Sequence, residues 1–565
     1  MWTFRAGAIL AAVTLVGCVA RSSAPVSFPG ATAPGDAGDR PAEARPVVAA
    51  ARPPVESEST AAGNTDRRGP DGSGAAERSR PADLAAQDPA RLGGRRGDPH
   101  LTRRLDRLFT SSHVGPAVWG VDVRALDHNE RVYARHPDVL LTPASTMKLV
   151  TLAAAAERLG WDERFETVLL TAAPIRDGTL RGDLVVRGAG DPTMDAPGAG
   201  EVFAGWTDQL RALGVRRIAG RIIGDDDVLD DGALETPGLG SGWAWDDLAR
   251  GFAAPAGALQ HRENVVAVVV EPGPAAGRPA TVRFRRAGSG LILRNDVVTV
   301  GADQAAGIRL RRPPGEPTLV VSGRVPEDAS PITRIAAVGN PTLFFVQGFK
   351  DALEAQGIDV DGEAIDIDVL AARGKPPVLP GLRPLLRHRS EPLSSLAVDM
   401  LKQSRNLYAE SLVRHLGVAT GAGAHAGRAV VGEVLAGWDI DGRRAVAADG
   451  SGLSRYTSLT AATLVEVLAR LYRDPDHRTR ILAALPIAGR DGTLRRRLVG
   501  TVAEGVVRAK TGSMTRVRAL AGYVETADGE PLAFAILANN FSAPAADVTR
   551  VIDAAVATLA AFSRR

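Results

Sequence analysis

Ser145 stands three residues before Lys148 in the stretch Leu141-Thr-Pro-Ala-Ser-Thr-Met-Lys-Leu-Val-Thr151, at the start of a run with helical periodicity. Residues at i and i+3 share one helix face, so the Ser145 hydroxyl and the Lys148 amine can touch. A serine is a weak nucleophile until a neighbouring base takes its proton, and a neutral lysine can be that base. Alone, the pair has a plain alternative: an N-cap serine followed by a surface lysine. Composition sharpens it. The lysines are Lys148, Lys350, Lys375, Lys402 and Lys510, and every other basic residue apart from the histidines is arginine. Arginine stays protonated, whereas lysine loses its proton when desolvated or set beside another cation. A lysine retained against that background carries information. Two further segments, Ser404-Arg-Asn406 and Lys510-Thr-Gly-Ser513, hold hydroxyl, amide and amine groups suited to the same chemistry.

The elements that must position these residues are legible in the pattern. Pro143 suits the turn into a helix, and Leu149, Leu152, Ala153, Ala156 and Leu159 recur at helical spacing until Gly160. Order begins near Asp98, with a short helix around 101–108. Residues 117–126 and 131–135 then read as a hairpin turned at Asp127-His-Asn-Glu130. From 166 to 388 the chain is mostly strands between Gly/Pro turns: Leu184–Arg187, Val265–Val270, Thr281–Arg285 and Thr318–Ser322. One helix, Thr342–Gln356, ends at Gly357. Helical pattern resumes over 392–416, with Ser404-Arg-Asn406 near its middle, and again over 424–437 and 460–472. Near the C-terminus come strands 505–511, 518–526 and 532–540, the last two a hairpin at Asp528-Gly529. A helix over 545–562 closes the chain. The first hairpin and the last strands are expected to share one sheet.

At 565 residues the chain suggests two to four domains of about 150 residues, and its 45% hydrophobic content allows a sizeable core. Net charge is only +3, the arginines are interleaved with acids, and aromatics make up 4%, which argues against nucleic-acid binding. Cys18 is the lone cysteine, so there is no disulfide framework and no thiolate metal site. The histidines lack zinc-hydrolase spacing, and no metal or organic cofactor is implied. Residues 1–17 read as an export signal, Arg5 followed by the apolar run 6–16, too short to span a membrane comfortably. Leu15-Val-Gly-Cys18 resembles the lipobox of bacterial lipoproteins, in which the cysteine is lipidated and anchors the protein to a membrane. The alternative is an ordinary signal with an incidental cysteine; both imply export. Residues 18–97 are rich in Ala, Pro and Arg without apolar periodicity, and read as a disordered tether or a plain spacer.

S-x-x-K, S-x-N and K-T-G in this order are together far more specific than any one of them. With them, residues 98–565 resemble the penicillin-recognising serine D-Ala-D-Ala peptidases, specifically the low-molecular-mass class C carboxypeptidases/endopeptidases. The long interval from Lys148 to Ser404 separates this chain from class A β-lactamases and smaller carboxypeptidases. Gly188-Ala-Gly-Asp-Pro-Thr193, Trp243-Ala-Trp-Asp-Asp247, Asp449-Gly-Ser-Gly-Leu-Ser-Arg455 and Leu485-Pro-Ile-Ala-Gly-Arg-Asp-Gly-Thr493 also match. Arg405 departs from the Asn often found there, at a position that points away from the chemistry. The resemblance implies an α/β (α+β) fold of the serine β-lactamase/D,D-transpeptidase kind, with an antiparallel sheet flanked by helices and an all-helical subdomain. Its catalytic domain would comprise 98–165 and 389–565, interrupted by one or two mostly β inserted domains over 166–388.

The resemblance also implies roles. Ser145 would become acylated by the carbonyl between two D-alanines, with Lys148 taking its proton. A lysine brought from about 10.4 to about 7–8 needs roughly 3–5 kcal/mol of destabilisation of its charged form; burial and the cation of Lys510 would both supply it. Ser404 would relay the proton and Asn406 hold the substrate amide. Lys510, Thr511, Gly512 and Ser513 would bind the terminal carboxylate of the substrate or of a β-lactam, and the N–H groups of Ser145 and Ser513 would form the oxyanion hole. Asp247, Arg455, Met514 and Thr515 match positions that read the free end of a peptidoglycan side chain; their alternatives are a turn residue, a structural ion pair and core filling. Competing readings are a β-lactamase, for which no recognisable second base precedes Ser404, and a catalytically silent peptidoglycan-binding scaffold. The sequence does not separate carboxypeptidase from endopeptidase action.

Overall fold

The computed structural model describes residues 98–564 except 112–113, 197–200, 230–237, 375–379 and 422–423. The export signal, Cys18 and the segment 18–97 lie outside the described residues.

Both ends of the described chain meet in one antiparallel sheet, in the order Glu130–Arg135, Val118–Ala125, Pro531–Asn539, Val517–Glu525, Arg508–Met514. Its central strands are apolar at nearly every position, because both faces are covered. Successive side chains point to opposite faces. Leu520, Val524, Leu532, Phe534 and Ile536 therefore meet the helices Pro99–Phe109 and Ala545–Ala560. Ala519, Ala521, Tyr523, Ala533, Ala535 and Leu537 meet the helical body built from Met147–Leu159, Leu393–Lys402, Asn406–Ala419, Gly427–Gly437 and Ala461–Arg473. Small residues on that second face let Ala461–Arg473 lie close to the sheet.

Residues 166–389 carry sheets of their own. A mixed five-stranded sheet runs Ala364–Asp366, Ile222–Asp225, Leu184–Arg187, Glu166–Thr171, Arg383–Arg389. Its first and last strands in the chain flank the whole interval, and the helix Pro341–Ala355 packs on it. Phe203, Trp206, Phe345 and Phe349 form an aromatic cluster there, with ring centroids 4.9–6.3 Å apart. Two three-stranded sheets between residues 265 and 337 share the core of Val266, Val268, Val270, Leu319, Val321 and Val325.

Two expectations need correction. Among its described residues the interval 166–388 holds three α-helices rather than one, Val202–Ala212 and Ile367–Ala372 joining Pro341–Ala355. The helical pattern over 392–416 is two helices, Leu393–Lys402 and Asn406–Ala419, broken at Gln403–Arg405. Apolar periodicity runs through the break because both helices bury one side in the same core, so it carries no sign of the interruption. A ten-residue helix, Pro475–Ala484, also escaped the pattern, because only Ile481 and Ala484 of it are buried.

Phe349 is fully buried between Phe203 and Trp206. Phe349→Ala is expected to cost about 3–5 kcal/mol in urea unfolding, the usual result of a large-to-small change in an aromatic core; an unchanged midpoint would contradict this packing.

Candidate active site

Ser145 lies in a single 3₁₀ turn, Ala144–Thr146, that runs into the helix Met147–Leu159. Pro143 accepts from the Thr146 hydroxyl at 2.8 Å, which fixes the turn. Ala144, just before the serine, has φ 47°, a left-handed conformation costly for a residue with a Cβ. Two glycines accommodate that turn. A Cβ on Gly452 would lie 1.9 Å from the Ala144 carbonyl oxygen, and one on Gly512 would lie 2.6 Å from that of Pro143. The glycines of Gly450–Gly452 thus serve close backbone approach, and Gly512 lets the Lys510 strand press against the serine turn.

Lys148 is fully buried. Its Nζ donates to Ser145 Oγ at 2.9 Å, Asn406 Oδ1 at 2.6 Å and the Ser451 carbonyl at 2.9 Å. Three acceptors satisfy an ammonium. When the amine is neutral, Asn406 and Ser451 can retain its two N–H groups, which leaves the lone pair for the serine O–H. Burial pulls Lys148 down to about 7, against Asp449 and Glu410, which favour its charge. Burial is thus the first cause of the shift at Lys148. The neighbouring lysine Lys510 responds in the same direction. That residue is also fully buried and pushed well below the ordinary lysine range, first by burial and then by Lys148.

The break in the helical run sets the second motif. Ser404 has φ 60° and Arg405 is extended, so Asn406 opens a new helix beside Lys148. Ser404 Oγ accepts from Lys510 Nζ at 2.8 Å. Asn406 Nδ2 donates to the Phe252 carbonyl at 2.8 Å, so the amide expected to hold substrate is engaged at both ends here. Arg405 takes no part in the lysine network; it pairs with Glu263 and lies over the Tyr408 ring, 5.6 Å from its centroid.

Lys510 lies within the strand Arg508–Met514 rather than at its end, and also donates to the Thr511 carbonyl at 2.9 Å. This strand is at the edge of the sheet, and apart from an isolated bridge between Arg508 and Ile487 it pairs on one side only. Its outer groups are a template for an extended peptide. Thr511 Oγ1 donates to Thr493 Oγ1 at 2.9 Å, and Ser513 is exposed. Hydrogen bonds thus join Ser145, Lys148 and Asn406 in one set and Ser404 and Lys510 in another, from segments far apart in the chain.

The remaining candidates gather beside this strand. Arg455 Nη1 donates to the Thr515 carbonyl at 3.1 Å. Asp247, half-buried, is raised above the usual carboxylate range by burial, while Arg250 and Arg455 act in the opposite sense. Asp247 and Arg455 therefore face one another's charge as well as solvent. Half-buried Met514 immediately precedes Thr515. Phe252, Glu410, Ser451 and Thr493 had no assigned role in the sequence. Glu410 follows Asn406 by four residues, hence on the same helix face, and that spacing was the available signal. Away from these residues, Asp226, Asp366 and Asp368 bring carboxylate oxygens within 4.8 Å of one another; Asp226 accepts from Thr342 and Asp366 from Asn340.

Gly452→Ala places a methyl group against the Ala144 carbonyl on a left-handed backbone. It is expected to lower thermal stability and to slow covalent modification of Ser145 by a penicillin about tenfold or more; a variant with the parent's melting temperature and reaction rate would refute the contact's importance.

The chain is similar to known proteins over most of its length. The chain is 38% identical over 459 residues to the D-alanyl-D-alanine carboxypeptidase of Actinomadura sp. (strain R39), covering 79% of this chain and 82% of that one. It is 28% identical over 430 residues to the D-alanyl-D-alanine carboxypeptidase DacB of Haemophilus influenzae, covering 75% and 85%. The crystal structure of penicillin binding protein 4 (dacB) from Haemophilus influenzae superposes with a TM-score of 0.69 at 25% identity, covering 81% of this chain and 99% of that one. The profile of the D-Ala-D-Ala carboxypeptidase 3 (S13) family matches residues 101–562. With its paired sheet, its buried lysines and this extent of likeness, the chain belongs to the D-Ala-D-Ala carboxypeptidase 3 (S13) family.

Proposed function

We propose that Ser145 is the nucleophile and Lys148 the base of a serine-type D-Ala-D-Ala carboxypeptidase acting on peptidoglycan stem peptides. The observation that carries this reading is the set of three bonds at Lys148 Nζ, which holds a buried amine against the Ser145 hydroxyl. The Ser145 proton passes to Lys148 as Oγ attacks the carbonyl carbon between the two D-alanines. Backbone N–H groups of Ser145 and Ser513 receive the oxyanion. Ser404 relays the proton to the departing amine, D-alanine leaves, and water then hydrolyses the ester. Cleavage of a cross-link is the same reaction with a longer leaving group.

Lys510, Thr511, Gly512 and Ser513 take the substrate's terminal carboxylate, as they would that of a β-lactam, and Asn406 exchanges its Phe252 contact for the substrate amide. The carboxylate also orders the protons. A negative group beside Lys510 favours its charged form, and a charged Lys510 disfavours a second cation at Lys148. Substrate binding therefore leaves Lys148 neutral when it is needed. Asp247, Arg455, Met514 and Thr515 receive the free end of the stem side chain, the carboxylate suited to an ammonium and the guanidinium to a carboxylate. Residues 98–165 and 389–565 form the catalytic domain, and 166–388 the insertion. The enzyme works in the cell envelope, exported by residues 1–17 and anchored through Cys18, with 18–97 as tether. No described helix is long and apolar enough to cross a membrane.

Mass spectrometry after incubation with benzylpenicillin is expected to find one adduct, on Ser145, lost in Ser145→Ala; an adduct surviving that change would sink the acyl-enzyme reading. Release of D-alanine from a peptide ending in D-Ala-D-Ala should disappear in the same variant.

The acylation rate is expected to rise with pH through about 7, because only the neutral form of Lys148 accepts the proton. One unit below that midpoint the rate should be about tenfold under its plateau. A rate flat between pH 5 and 8 would exclude Lys148 as the base. Palmitate labelling in a bacterial host should be abolished by Cys18→Ala, and label retained there would rule out the anchor.

A further inference from the structure

Glu410 has no part in the acyl transfer described above, yet it is only 4% exposed and sits one helical turn beyond Asn406. Its Oε1 accepts from the backbone N–H groups of Gly450 at 3.1 Å and Ser451 at 2.8 Å. The carbonyl of that same Ser451 accepts from Lys148. The Gly450 carbonyl accepts from Thr151 Oγ1, one turn further along the Lys148 helix, at 2.7 Å. The 450–451 backbone is thus gripped on one side by the Asn406 helix and on the other by the Lys148 helix.

We propose that Glu410 is a positioning residue for Lys148: it holds the Ser451 carbonyl in place and supplies a buried negative charge that offsets the cost of a cation there. This rests on Lys148 acting as the base.

Hydrogen bonding alone does not explain a carboxylate at this position. A glutamine oxygen would accept from the same two N–H groups without the cost of burying a charge. What the carboxylate adds is charge, and the groups around it are unevenly matched. Two lysines meet at the site, Lys148 from its helix and Lys510 from the edge strand. Glu410 from the Asn406 helix and Asp449 from the turn at 449–454 favour the charged form of Lys148. Asp449 is engaged within its own surroundings, accepting from Gly452, Ser454, Thr457, Ser451 and Trp243. Glu410 has Arg414 at 4.0 Å on its other side. Burial and Asp449 push the Glu410 carboxyl up, while Arg414 and Ser451 favour its charged form.

The test follows acylation of the full chain by benzylpenicillin as a function of pH, in the parent, Glu410→Gln and Glu410→Leu. Glu410→Gln keeps the acceptor and removes the charge. Its plateau should stay within about threefold of the parent, while the acidic limb moves to lower pH by about one unit, since loss of a nearby anion favours neutral Lys148. Glu410→Leu removes both, and its maximal acylation rate should fall about tenfold or more with the non-covalent affinity for penicillin unchanged. If Glu410→Leu does not fold, the limb of Glu410→Gln decides. A limb that stays in place or moves up in Glu410→Gln overturns the proposal, as does a Glu410→Leu that acylates at the parent's rate. A parent that forms no Ser145 adduct overturns the acyl-enzyme reading and this role with it. An acylating parent with an unmoved Glu410→Gln limb overturns the role of Glu410 alone.

Discussion

Two lysines are fully buried beside one another, and the site depends on what that costs. An ammonium removed from water is expensive unless every N–H finds an acceptor and an opposite charge stands near. Lys148 meets the first condition through Ser145, Asn406 and Ser451, whereas Lys510 has two acceptors, Ser404 and Thr511, for the three N–H groups of an ammonium. Glu410 and Asp449 address the second for Lys148 only in part, since burial still brings it to about 7. The remaining imbalance makes an amine, ordinarily protonated in water, available as a base near neutrality.

Such a balance tolerates little displacement, and the backbone around it is correspondingly constrained. Ala144 and Ser404 both adopt left-handed conformations, one next to Ser145 and the other at the end of the Lys510 bond. Each costs of order 1–3 kcal/mol and persists only where its surroundings enforce it. Gly452 and Gly512 provide the enforcing contact at Ala144, because each brings backbone to a distance that a side chain would prevent. The central sheet supplies the rigidity behind them: it is buried on both faces, with its last strand offering one side to the cleft.

The main elements of the fold could be read from pattern alone where local rules agree with tertiary packing. The strand Leu184–Arg187 and the helix at 341–355 were anticipated to within a residue, since turns or caps bound them. The short helix Ile367–Ala372 was missed because six residues hold too little periodicity to register. The break at Ser404 was missed for a different reason. Nothing about the residue type demands a left-handed serine; the requirement comes from Lys510, more than a hundred positions away.

By itself the sequence determined the candidate reactive groups and their order: Ser145 and Lys148 at helical spacing, Ser404 with Asn406, and Lys510 two residues before a glycine. Spacing and side-chain chemistry are local properties, so they survive in one dimension. The tertiary structure alone decided which acceptors hold Lys148 and what moves its proton affinity. One of those acceptors is the backbone carbonyl of Ser451, and every residue has a carbonyl, so no letter in the chain marks it. Glu410 likewise became relevant only when folding brought its helix against that backbone, because burial and electrostatic proximity are properties of the packed chain.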